Sequence, residues 1–130
     1  PMNINTISMI LLVAVIEGEA AGMLDHQALI VDLLPAGFEI ENARLDDART
    51  ARELAWLPRL SETVHTESRD DRFVAALDIK GERRAFAVAY LVRAVTPGIY
   101  RLPAAHVEDM YKPRYRGRTA MGTLTIAPRN

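Results

Sequence analysis

The run from Phe73 to Ile79 limits the fold more tightly than any other stretch of the chain. Phe73, Ala75, Leu77 and Ile79 alternate with Val74, Ala76 and Asp78, and a two-residue period places one apolar row on one face of an extended strand and a mixed row on the other. A second alternating row, Phe86, Val88, Tyr90 and Val92, begins after Lys80-Gly81-Glu82. The two rows are expected to form an antiparallel hairpin closed by the glycine-containing loop.

Two earlier apolar runs, Met9 to Ile16 and Ala28 to Leu34, are rich in β-branched residues and are expected to be buried strands. Leu34-Pro35-Ala36-Gly37-Phe38 ends the second in a turn, because proline cannot donate to a ladder and glycine admits angles other residues avoid. Leu45 to Leu57 differs: Asp46 and Asp47 supply a cap and first-turn acid, Ala48, Ala51, Leu54 and Ala55 recur near helical spacing, and Pro58 follows. That pattern predicts one short helix. Thr96-Pro97-Gly98-Ile99 has the composition of a type II turn, Tyr100-Arg101-Leu102 resumes an extended path, and Gly122 precedes a last strand from Thr123 to Ile126. Short strands punctuated in this way predict an all-β, two-sheet antiparallel β-sandwich with one short helix in a crossover.

The 130 residues are enough for one domain with a single core, and 49% hydrophobic with 25% charged residues is ordinary for a globular chain. A formal net charge of -1 provides no general field for phosphate or anionic lipid, which argues against a nucleic-acid partner. With no cysteine, disulfides, thiolate metal sites and cysteine nucleophiles are excluded. The first residues have no basic n-region, and the apolar run Ile7 to Ile16 is interrupted by Ser8, so neither a signal peptide nor a spanning helix is expected there.

Candidate chemistry is sparse. His26, His65 and His106 with nearby carboxylates could form a metal site, but none belongs to a tight ligand pair, and hydrogen-bonded or solvent-facing histidines are expected instead. Ser61 or Ser68 with His65 and Asp70 could suggest a hydrolytic triad, yet no nucleophile elbow surrounds either serine. No catalytic residue and no cofactor are expected. Arg69-Asp70-Asp71-Arg72 is expected to be a solvated, salt-bridged turn in which the arginines keep the carboxylates ionised. The basic cluster Lys112-Pro113-Arg114-Tyr115-Arg116-Gly117-Arg118 has acidic neighbours in Glu108 and Asp109 and is expected to be an exposed loop whose tyrosines pack on protein. Met110 and Tyr111 stand out in it as large amphipathic groups of the kind favoured at protein contacts; a strand edge with Met110 buried and Tyr111 half exposed is the competing expectation.

Three longer stretches carry a resemblance. Asp32-Leu33-Leu34-Pro35-Ala36-Gly37-Phe38-Glu39-Ile40-Glu41-Asn42 resembles the signature of the last domain of bacterial alpha-2-macroglobulins. His65-Thr66-Glu67-Ser68-Arg69-Asp70-Asp71-Arg72-Phe73 agrees with the same domain, although Ser68 stands where an aromatic residue is expected. So does Tyr90-Leu91-Val92-Arg93-Ala94-Val95-Thr96-Pro97-Gly98, running on to Glu108-Asp109-Met110-Tyr111 and Gly117-Arg118-Thr119. The resemblance spans Leu29 to Ile126.

It implies that residues 1–130 are a single C-terminal macroglobulin-like, receptor-binding-like domain cut from a much larger chain. The parent would be a periplasmic, broad-spectrum protease inhibitor of bacterial defence, attached to the inner membrane through a lipoprotein anchor outside this fragment. It would trap target proteases through the full-length protein, using a thioester in another domain. In that family a methionine-tyrosine pair helps shield the thioester, and Met110-Tyr111 matches the pair. The domain would then be non-catalytic, with the thioester domain of its own chain as partner. A free-standing β-sandwich adhesion or carbohydrate-type binding module is the alternative.

Overall fold

The computed structural model describes residues 10–42 and 59–127. Ten strands account for the described chain: β1 (Ile10–Glu19), β2 (His26–Leu33), β3 (Phe38–Asn42), β4 (His65–Arg69), β5 (Arg72–Ile79), β6 (Ala85–Ala94), β7 (Gly98–Leu102), β8 (His106–Asp109), β9 (Arg116–Arg118) and β10 (Gly122–Ile126). The helix expected over Leu45 to Leu57 lies outside the described residues.

The strands form an all-β, sandwich-like arrangement. A five-stranded antiparallel sheet in the order β4-β5-β2-β8-β9 faces a three-stranded sheet in the order β1-β6-β3, and β10 and β7 form a two-stranded ribbon. The predicted strands at Phe73 to Ile79 and Phe86 to Val92 are both present, but they do not pair. β5 lies between β2 and β4, whereas β6 lies between β1 and β3 in the other sheet. The loop Lys80 to Arg84 is therefore a crossover between sheets and not a hairpin turn. The physical reason is that each apolar row needs a partner row to face: Phe73, Ala75, Leu77 and Ile79 from one layer meet Phe86, Val88, Tyr90 and Val92 from the other in one buried cluster. Pairing them edge to edge would have left both rows on the same face of one sheet.

Tyr90 and Phe73 stack at the centre, with ring centroids 4.3 Å apart, and Ile30 and Leu77 are also fully buried. The ribbon contributes Ile126, Tyr100 and Leu124 to this core. The expected type II turn at Thr96 to Ile99 is instead a bend running straight into β7, where Gly98 opens the strand opposite Ile126.

A polar link crosses the core. The Tyr90 hydroxyl donates to Asp32 Oδ2 at 2.5 Å, joining β6 of one sheet to β2 of the other. Burial raises the Asp32 carboxyl above its usual range, with the Tyr90 hydrogen bond opposing the rise, and burial with the neighbouring carboxylate raises the Tyr90 phenol.

Register brings three loops to one end of the sandwich. His26, at the start of β2, is opposite Ile79 at the end of β5, and Ala28 is opposite Asp109 at the end of β8. The β1–β2 loop, the β5–β6 crossover and the β8–β9 loop are therefore neighbours.

Candidate functional site

The loop between β8 and β9 begins at Asp109, whose side chain is turned inwards and is 3% exposed. Asp109 Oδ1 accepts the backbone N–H groups of Tyr111 and Lys112, both at 2.9 Å, as an aspartate at the head of a turn commonly does. Oδ2 accepts from His26 Nδ1 at 2.7 Å. The hydrogen bond from His26 and those from the two amides hold the Asp109 carboxyl below the usual carboxylate range despite its burial. The backbone closes the same loop: Met110 N–H donates to Gln27 O at 2.8 Å, Asp109 N–H to Tyr115 O at 3.0 Å, and Tyr115 N–H to Lys112 O at 3.0 Å.

Set on this base, Met110 is 44% and Tyr111 74% exposed. The alternative with Met110 buried and Tyr111 half exposed does not describe the loop. Met23 and Leu24 on the adjoining β1–β2 loop are exposed as well. Arg84 Nη2 from the crossover donates to Leu24 O at 2.6 Å, and Lys112 Nζ to Asp25 O at 3.3 Å, so the three loops are tied to one another. This end of the sandwich presents several large exposed apolar side chains on a hydrogen-bonded frame.

The remaining candidates fall elsewhere. His26 is consumed by Asp109, with its ring 5.1 Å from that of Tyr115, while His65 and His106 lie exposed on β4 and β8. Among the described residues no group of three or more histidine, aspartate or glutamate side chains is arranged to hold a metal ion. Ser61 Oγ accepts the Ala87 N–H at 3.1 Å, and Ser61 N–H donates to Ala87 O at 2.8 Å; the serine is tied to β6 beyond the stretch that β3 pairs. Asp70 and Asp71 form the tight turn between β4 and β5. Arg72 reaches both Asp71 oxygens at 3.0 and 3.1 Å and lowers its pKa, and Arg69 pairs with Glu67 at 3.0 Å. In the basic cluster Tyr115 packs on protein, against His26 and under the Arg114 guanidinium, 4.8 Å from the ring centre. Tyr111 does not.

Sequence reasoning missed the His26–Asp109 and Asp32–Tyr90 pairs. An aspartate ahead of a proline- and glycine-rich loop is a local sign of a capped turn, but nothing near it points to a histidine 83 positions away.

A family model of the bacterial alpha-2-macroglobulin MG10 domain matches residues 12–114. The chain belongs to this family. The alpha-2-macroglobulin of Xylella fastidiosa strain 9a5c is 47% identical over 108 residues, covering 76% of this chain and 6% of that protein. The Escherichia coli K12 alpha-2-macroglobulin is 42% identical over 107 residues, covering 76% and 6%. Among solved structures, the native conformation of the E. coli alpha-2-macroglobulin superimposes with a TM-score of 0.78 at 34% identity, over 97% of this chain and 8% of that one. The same protein activated by porcine elastase gives 0.73 at 37%, over 91% and 11%. The chain thus spans about 6% of the length of the curated relatives it matches. The matching domain is designated MG10, and this designation replaces the description as the C-terminal domain drawn from the sequence resemblance.

Proposed function

We propose that this MG10-family domain is a non-catalytic part of a bacterial alpha-2-macroglobulin that acts as a periplasmic protease inhibitor, and that Met110 and Tyr111 pack on the thioester domain of the same parent chain and shield its thioester. The observation that carries the proposal is the exposure of Tyr111 on a loop whose backbone is hydrogen-bonded from Asp109 to Lys112 and again at Tyr115. An exposed phenol beside a thioether makes an adaptable apolar lid, and a thioester persists only while water and amines are kept from its carbonyl. A solved relative, the Salmonella alpha-2-macroglobulin reacted with methylamine, matches with a TM-score of 0.67 at 36% identity over 92% of this chain and 8% of that one, and methylamine is an amine of the kind such a lid would exclude.

The test uses the full-length inhibitor that carries the domain. Methylamine nitrogen attacks the thioester carbonyl, the carbon–sulfur bond breaks, and a thiol is released and counted. Tyr111→Ala is expected to release thiol faster than the unaltered protein. Equal rates in a folded variant would leave the domain as a docking or supporting element without a shielding role.

A further inference from the structure

We propose that His26 and Asp109 are a positioning pair that fixes the Met110–Tyr111 tip in one conformation before it meets its partner. The inference rests on the proposed function only for what the tip meets.

Asp109 and His26 are 3% and 8% exposed, at the root of a surface loop. Burying a carboxylate is unfavourable unless its oxygens are filled, and here they are: one by the imidazole at 2.7 Å, the other by the amides of Tyr111 and Lys112 at 2.9 Å each. Both amides belong to the tip, so the carboxylate spends its acceptors on the direction in which Tyr111 leaves the loop. An ionised carboxylate only accepts, so Nδ1 of His26 carries the proton. That bond sets the rotation of the carboxylate, and the His26 ring is itself held against Tyr115 on the returning side of the loop. A flexible tip bearing Met110 and Tyr111 would lose conformational freedom on docking; a tip already ordered avoids that cost. His26 thus acts through Asp109, and Asp109 through the backbone, without either touching the partner.

Amide exchange measured residue by residue on this chain tests the pair. Asp109→Ala is expected to speed exchange at Tyr111 and Lys112 by about tenfold or more, the scale of losing a charge-assisted bond, while Val31 and Val74 in the β2–β5 ladder keep their protection. His26→Ala should speed the same two amides by a smaller factor. Asp109→Asn should restore most of the protection, because the amide carbonyl can still accept both N–H groups. Unchanged exchange at Tyr111 and Lys112 in the folded alanine variants would overturn the proposal, as would protection lost in Asp109→Asn to the same degree as in Asp109→Ala. Should Asp109→Ala not fold, His26→Ala and Asp109→Asn decide by the same readout. Thiol release with Tyr111→Ala tests the shielding role separately, so either proposal can fail alone.

Discussion

Removing one oxygen from the core should expose how much the inter-sheet polar link contributes. In Tyr90→Phe the ring remains, 2% exposed and stacked on Phe73, and only the donor to Asp32 Oδ2 is lost. A hydrogen bond to a charged acceptor contributes about 1.5–3 kcal/mol, and because solvent reaches part of Asp32 the lower half of that range applies. With the slope usual for a small domain, that is a fall of about 1 M in the urea midpoint at neutral pH. Asp32→Asn separates the bond from the charge, since the asparagine carbonyl can still accept the phenol while the cost of burying a carboxylate disappears. It is expected to be close to neutral or stabilising.

The pH dependence follows from the sign of the Asp32 shift. Its carboxyl is raised in the folded state above the usual value near 3.8, mainly by burial, so the native state holds the proton more tightly than the unfolded chain. Stability attributable to Asp32 is complete below the usual value, declines as pH rises through the raised one, and is level above it. Tyr90→Phe removes the bond that opposes the rise, which should carry the decline to higher pH, and Asp32→Asn should abolish it. A Tyr90→Phe midpoint equal to that of the unaltered chain, or an Asp32→Asn loss larger than that of Tyr90→Phe, would refute the assignment of stability to the hydrogen bond.

Phe73→Ala should cost about 3–5 kcal/mol in the same urea titration, because a 1% exposed ring is deleted from beside Tyr90 and the rigid sheets cannot close over the space. Gly18→Ala would place a Cβ 2.5 Å from Phe86 Cζ; displacing that buried ring should cost about 1–3 kcal/mol, read as a lowered thermal midpoint. For Asp109 the shift is downward, so its contribution is present above the usual carboxylate value and lost only as pH falls through the lowered one. Amide protection at Tyr111 and Lys112 should therefore be unchanged at about pH 4 and weaken, without vanishing, in more acid solution, since the protonated carboxyl keeps a carbonyl that still accepts both N–H groups.

The strands were legible in the amino-acid order because alternation is a local property. The rows Phe73 to Ile79 and Phe86 to Val92 could be placed on extended backbone without knowing what they touch, and they occupy β5 and β6. Met110 and Tyr111 were legible in a weaker sense, as amphipathic side chains in a segment too polar and too rich in proline and glycine to be core. Their degree of exposure was not, since it depends on which neighbours cover the loop.

Partnership belongs to the tertiary structure. The loop Lys80 to Arg84 has the composition of a hairpin turn and serves as a crossover, because burying the two rows against each other face to face removes both from water, which edge-to-edge pairing cannot do. The same holds for the site. Alternation and turn chemistry determine that Asp109 ends a strand and heads a loop, but only the register of β2 against β8 brings His26 to it, and that register is set by the pooled burial of residues distant in the chain, which no local pattern records.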